Sequence, residues 1–338
     1  MRIGLHLSVQ SYGRPWHEVL NEAMDDAALA DDLGLSSVLF AEHHFVEDAW
    51  NPQPLTLAAA AAARTTRVAV GTDIQISPLI HPVALAENAA IVDALSGGRC
   101  VLGLGAGWKE PDYRGFGLDF RRRYRAFEES IDVARRLLRG EEVTFEGTYY
   151  AAEAARLRIA PVQEGGPPVW IGATGPQGIR RAARLADAWV MSPQVRLATL
   201  REQQQDYLAA REEAGLPAPR VRPIRREGFV AETTERAWEL FAAGIHHEYG
   251  VVYRERHPSY PADGDPAAIR RWADDLFVVG SPDDVTEQLE RLRDELGITE
   301  TMVRVHLPGI EPAESRRALE LFGEVADRFP ATGPLTVA

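Results

Sequence analysis

Ser37-Val38-Leu39-Phe40-Ala41-Glu42-His43-His44-Phe45 is a short apolar run that ends abruptly in three titratable side chains. Its first half has no alternation of apolar and polar residues. That pattern belongs to a strand covered on both faces, as in a parallel sheet flanked by helices. Short β-rich runs at 3–8, 37–41, 68–76, 100–105, 168–173, 188–192, 224–231 and 301–306 are the candidate strands. Helical patterns separate them. Trp16, Val19, Leu20, Ala23 and Ala27 share one face, as do Tyr124, Phe127, Ile131, Ala134 and Leu138, whose helix stops at Gly140. Ser281-Pro282-Asp283-Asp284 supplies an N-cap with proline in the first turn, and the helix runs on through Val285, Leu289, Leu292 and Leu296 to Gly297. Eight strands alternating with helices predict an α/β fold, a (β/α)8 TIM barrel, in which the residues that follow each strand gather on the catalytic face.

Three stretches interrupt the alternation: about 107–120, 143–168 and 244–274. They are expected to be insertions after strand 4, in the strand 5 region and after strand 7, the first and third acting as lids. The whole reads as one domain over 1–330, with a C-terminal tail at 331–338. Of the 338 residues, 50 are acidic and 37 basic, a net charge of -13 that opposes attraction to nucleic acid or anionic membranes and favours a small-molecule partner. Cys100, the single cysteine, lies in an apolar run and is expected to be a buried hydrophobe. With no charged leader and no apolar run of membrane-spanning length, a cytoplasmic location is expected.

Glu42, His43 and His44 sit where their strand leaves the sheet. Neighbouring side chains on an extended chain point to opposite sides, so one histidine at most readily faces a pocket. Two structural imidazoles bonded to backbone are the competing reading. Metal ligation would need further strand-end ligands, and strand one offers only His6, so no metal site is expected. Gly103-Leu104-Gly105-Ala106-Gly107-Trp108 lacks the Gly-x-Gly-x-x-Gly spacing of a dinucleotide loop and does not open into a helix. Its glycines would let a flat ligand approach the backbone beside Trp108, or would serve a tight barrel bend. Ala173-Thr174-Gly175-Pro176-Gln177-Gly178 leads from a strand into a helix, where free backbone N–H groups would cradle a phosphate; an ordinary turn explains its glycines nearly as well. Arg121-Arg122-Arg123 and Arg225-Arg226 could grip an anion but are unassigned, and His246-His247 is expected at the surface.

Taken in order, Ala41 to Phe45, Gly71-Thr72-Asp73-Ile74, His81-Pro82-Val83 with Glu87, Asp93 to Arg99, Gly103 to Gly107 and Phe116-Gly117 resemble the bacterial luciferase-like flavin monooxygenases, most specifically over 36–120. The resemblance implies a flavin at the C-terminal strand ends and His43 as the catalytic histidine, with Glu42 beside it. It also implies a non-proline cis peptide at Asp73-Ile74. The cofactor-binding set is then expected to be His44, Asp73, Ile74, Gly105, Ala106, Gly107, Ala173, Thr174, Gly175, Gln177 and Gly178, with Trp108 and Tyr113 as substrate or lid residues. Two positions depart from the family: Ala106 stands in place of a phosphate-binding arginine and Thr174 in place of an acidic residue. Backbone amides over 173–178 are expected to compensate. The implied activity is a monooxygenase in which reduced FMN, supplied by a separate reductase, and O2 form a C4a-peroxyflavin that oxygenates a small organic substrate. The glycine pattern of strand 4 also resembles F420-dependent relatives that transfer hydride, and a non-catalytic flavin-binding homologue is a third possibility. The resemblance further implies a homodimer.

Overall fold

The computed structural model describes residues 1–254, 257–261, 263–330 and 335. Eleven strands are formed among them: β1 (Arg2–Leu7), β2 (Ser37–Phe40), β3 (Ala69–Ile76), β4 (Cys100–Gly105), β5 (Val143–Glu146), β6 (Ala151–Ala155), β7 (Val169–Gly172), β8 (Ala188–Val190), β9 (Pro223–Val230), β10 (Val278–Gly280) and β11 (Glu300–Arg304). Helices α1 (Trp16–Asp32), α2 (Pro54–Ala62), α3 (Pro82–Ser96), α4 (Glu110–Gly115), α5 (Arg123–Leu138), α6 (Pro176–Leu185), α7 (Leu197–Glu213), α8 (Thr234–Ile245), α9 (Pro266–Trp272), α10 (Pro282–Leu296) and α11 (Pro312–Ala326) run between them.

Nine strands make one parallel sheet in the order β10-β9-β11-β1-β2-β3-β4-β7-β8. The sheet curls until its β8 side reaches β9: Met191, just past β8, bridges Ile224 of β9, with Met191 N donating to Pro223 O at 3.0 Å and Arg225 N donating to Met191 O at 3.2 Å. The eight strands expected from the sequence follow one another around this course. β10 is an addition, three residues long and laid beside β9.

Alternation within each buried strand decides which side chains fill the interior. Leu39 packs in one cluster with Val101, Trp170 and Met302, whereas its neighbours Val38 and Phe40 join the larger core under the helices. The helix ends obey local chemistry. Ser281 and Asp284 form a capping box at the start of α10, and Gly97 and Gly297 close α3 and α10 in the left-handed conformation. His81 caps α3 by accepting the Val83 N–H at 3.3 Å, which gives the His-Pro-Val motif a structural part.

The interruptions hold more order than their sequences suggest. Segment 107–120 contains α4, and 143–168 contains the antiparallel pair β5–β6. Segment 244–274 contains a seven-residue π-helix, His246–Val252, and α9. Most of the tail at 331–338 lies outside the described residues. No helix among the described residues is long and apolar enough to cross a membrane.

Candidate active site

A cavity of about 670 Å³ opens where the strands end, walled by the exits of β2, β3, β4, β7 and β8, by Arg225 of β9, and by Tyr253. Of the expected site residues it brings together Glu42, His43, Asp73, Ile74, Ala106, Gly107, Trp108, Ala173, Thr174, Gly175, Gln177 and Gly178. His44, Gly105 and Tyr113 are not on its wall.

The three titratable residues after β2 separate cleanly. Glu42 is buried, and both its oxygens are occupied: Oε1 is 2.6 Å from His44 Nε2, and Oε2 accepts from Gln75 Nε2 and from Ile76 N, each at 2.5 Å. Burial pushes its carboxyl above the usual range despite these bonds. A carboxylate used in this way ties the β2 exit to β3 and orients His44, which is turned from the cavity against the edge of Phe116. His43 is different. Its backbone N–H donates to Asn51 O at 3.0 Å, and its ring meets Trp50 edge-on at 3.9 Å between centroids. The ring makes no hydrogen bond among the described residues, and its pKa lies well below the ordinary value because of burial and then the cations Lys109, Arg225 and Arg304. A neutral imidazole with unused nitrogens therefore faces the cavity.

Beneath it lies a polar chain the sequence did not reveal. The Asp73-Ile74 peptide is cis, as the resemblance implied. His6 Nδ1 is 3.0 Å from Asp73 Oδ2, while Nε2 accepts from Arg225 Nη1 at 3.4 Å and lies 3.3 Å from Ser8 Oγ. Burial first, and Arg225 second, hold the His6 pKa down at about 4, so it too is neutral. Arg225 Nη2 donates to Glu227 Oε1 at 2.9 Å, and Tyr249 donates to Glu227 Oε2 at 3.1 Å. A second knot lies alongside. Arg304 Nη2 donates to Gln10 Oε1 at 2.7 Å and to Glu248 Oε1 at 2.8 Å, fixing the π-helix, while half-buried His247 reaches Asp48 at 3.0 Å. The expectation of a simple surface position for His246-His247 thus misses a contact between the π-helix and the segment after β2.

The opposite end of the cavity is the turn into α6. No side chain caps this helix, and Pro176 at its first position has no N–H, so the Gln177 and Gly178 amides are the open donors. Arg181, one turn on, also lines the wall; its Nε donates to Glu128 Oε1 at 2.6 Å and its guanidinium lies over the Tyr124 ring. A basic residue one turn inside a helix that begins with small residues was the available signal for it.

The strand-four glycines do something other than admit a ligand. A Cβ on Gly103 would lie 2.0 Å from Thr72 O, and one on Gly105 would lie 1.9 Å from Ile74 Cδ1. Gly105 makes room for Ile74, and it is Ile74 that reaches the cavity. Tyr113 is buried and donates from its hydroxyl to Ala106 O at 2.6 Å, so it fixes the β4 exit instead of covering the opening. Trp108 is on the cavity wall, and its ring lies 5.8 Å from that of Tyr253, which lines the wall as well. No group of three or more His, Cys, Asp or Glu side chains that could hold a metal ion is present among the described residues.

A family model described as luciferase-like monooxygenase matches residues 1–300. Among curated relatives, an F420-dependent glucose-6-phosphate dehydrogenase of Nakamurella multipartita is 28% identical, over 96% of this chain and 95% of its own length. Limonene 1,2-monooxygenase of Rhodococcus erythropolis is 28% identical over 84% of this chain and 76% of its own length. Other curated relatives are matched over only about half their length, 50% and 56% in two cases. Two solved structures superpose closely. Monooxygenase RslO1 of Streptomyces bottropensis has a TM-score of 0.85 at 25% identity, covering 96% of this chain and 98% of its own. The oxygenating constituent of 3,6-diketocamphane monooxygenase from the Pseudomonas putida CAM plasmid, in complex with FMN, has a TM-score of 0.82 at 24% identity, covering 98% and 99%.

Proposed function

The chain belongs to the luciferase-like monooxygenase family and is an oxidoreductase, and from that premise we propose that it is a flavin-dependent monooxygenase acting on a small organic substrate with reduced FMN and O2. The observation that carries the reading is the continuity of one wall: neutral His43, Asp73-Ile74 and the uncapped α6 turn all border the same cavity. The residues fit the group. Gly175 leaves open space where a Cβ would stand, and the amides of Gln177 and Gly178 together with Arg181 would hold the phosphate that Ala106 and Thr174 do not. Ile74, kept in place by Gly105, offers an apolar surface to a flat ring.

Bound reduced FMN would supply the electrons that activate O2. The chain's part is to bind, orient and handle protons. His43 accepts or shares a proton through a ring nitrogen that no described residue occupies. Glu42 positions the loop that carries His43, and Trp108 with Tyr253 keeps water from the cavity. The glycine runs lack nicotinamide-binding spacing, so reduced flavin is taken to come from a separate reductase. Residues 1–330 are read as one domain that pairs as a homodimer.

Hydride transfer with F420 is the second reading, favoured by the F420-dependent relative that aligns over 96% of the chain. Titrating the protein with FMN and with F420 by absorbance distinguishes the two, followed by aerobic turnover of free reduced FMN in wild type and His43→Ala. FMN binding with a His43-dependent rate is expected. Tight F420 binding without FMN binding overturns the FMN reading, and binding without any turnover supports a non-catalytic flavin carrier.

A further inference from the structure

We propose that Arg225 recognises a carboxylate on the organic substrate, seating it in the end of the cavity beside His43. The proposal rests on the flavin oxidoreductase reading only in taking this cavity as the place where substrate is held.

Arg225 lines the cavity together with Met191, Ser192, Gln194 and Tyr253. Its guanidinium has five N–H donors. His6 takes one from Nη1 and Glu227 takes one from Nη2, while Nε is buried with no partner among the described residues. Two anchors on the inner side therefore fix the plane of the fork without exhausting it, which is the preorganised state in which arginine binds a carboxylate with two parallel bonds. Its counter-ion does not share the wall: Glu227 is fully buried, held by Tyr249, and absent from the cavity lining.

The wall's own carboxylates do not compete. Glu42 and Asp73 are bonded within the protein, and burial drives Asp112 toward its neutral form. The cations that bear on His43 are Lys109, Arg225 and Arg304, and of these Arg225 lines the cavity wall. The other end has its own cation, Arg181, next to the α6 amides. An acid in the His43 end can thus be bound at the same time as a phosphate in the α6 turn.

The probes are benzoate and cyclohexanecarboxylate set against benzamide and cyclohexanecarboxamide, which match them in shape and lack the charge. Affinities are measured by calorimetry on the protein with and without FMN. The acids are expected to bind at least tenfold more tightly than the amides. Arg225→Met is expected to erase that preference. Glu227→Gln, which removes the opposing charge and keeps the shape, is expected to raise acid affinity several-fold and leave the amides unchanged. Because Arg225→Met leaves Glu227 buried without its partner, the double variant Arg225→Met/Glu227→Gln is measured as well, and the same loss is expected of it. Circular dichroism checks that each variant is folded. Equal binding of acids and amides by wild type, no measurable acid binding, or a preference that survives loss of Arg225 overturns the proposal. Cofactor titration is scored separately. Loss of FMN and F420 binding alike sinks the flavin reading and leaves the acid preference standing, whereas intact cofactor binding without acid preference sinks only the role of Arg225.

Discussion

His43 and His6 are both neutral and both lie at the C-terminal end of the curled sheet, yet their surroundings are opposite. Both nitrogens of His6 have partners in Asp73, Arg225 and Ser8, and the ring is fully buried inside β1. The ring nitrogens of His43 have none among the described residues, and its side chain borders the cavity. An imidazole with both nitrogens engaged is a fixed strut that holds the groups around it. One with neither engaged, set at a steep angle against the Trp50 ring, is available to a ligand. The difference separates what the site is built from and what it acts with.

Substitution at the two positions should therefore fail in different ways. His43→Ala is expected to lower turnover about 10²- to 10⁴-fold, the range of a lost proton-transfer group, with FMN affinity nearly unchanged. Steady-state kinetics beside an absorbance titration measures both, and a rate within a factor of a few of wild type would erase the contrast. His6→Ala should act on stability first. It strands the Asp73 carboxylate and one edge of Arg225 in a buried place, at a cost of about 3 kcal/mol in urea unfolding. A variant as stable as wild type would show that His6 is not a strut.

Acid sharpens the same comparison. The folded chain holds His6 at about 4 against an ordinary value of 6.5, so the unfolded chain takes up a proton first as pH falls. The stability this provides is complete above pH 6.5 and is lost as pH falls toward 4, a total of roughly 3 kcal/mol for the gap between the two values. His43 is displaced in the same direction and adds to the slope. Urea midpoints measured across this window should drift down in wild type and more shallowly in His6→Asn. Identical slopes would mean that His6 titrates normally.

The contrast also explains what was legible in the sequence. The eight strands of the curled course could be read because most are apolar runs set between helical patterns, whereas β5 and β6 are short and largely exposed, and β10 has three residues. Asp93 to Arg99, one of the segments that together resemble the family, has a structural part. Asp93 accepts from Val162 N at 2.7 Å and from Gln163 Nε2 at 2.6 Å, and Arg99 donates to the Val68 and Thr65 carbonyls. Within the site, contiguous stretches were visible, such as 41–45 and 173–178. Arg225 stood out only as half of an unassigned basic pair, Arg181 had only the weak signal of a basic residue one turn inside α6, and the part of His6 was not legible. Their part depends on which strands become neighbours when the sheet curls, and no local pattern encodes that.

The smallest expected effect concerns the proton on His6. Arginine can only donate, so the contact from Arg225 Nη1 makes Nε2 an acceptor and leaves Nδ1 to carry the hydrogen toward Asp73. Ser8 Oγ lies 3.3 Å from the same Nε2 and can turn its hydroxyl toward it. Removing that hydroxyl in Ser8→Ala leaves Arg225 as the remaining donor, a loss of about 0.5–1 kcal/mol with no change of tautomer. Nitrogen-15 spectra of the imidazole should show a protonated Nδ1 and a bare Nε2 in both wild type and variant. If the proton were found on Nε2 instead, Arg225 would have no acceptor there, and the pairing that fixes its plane at the cavity wall would have to come from Glu227 alone.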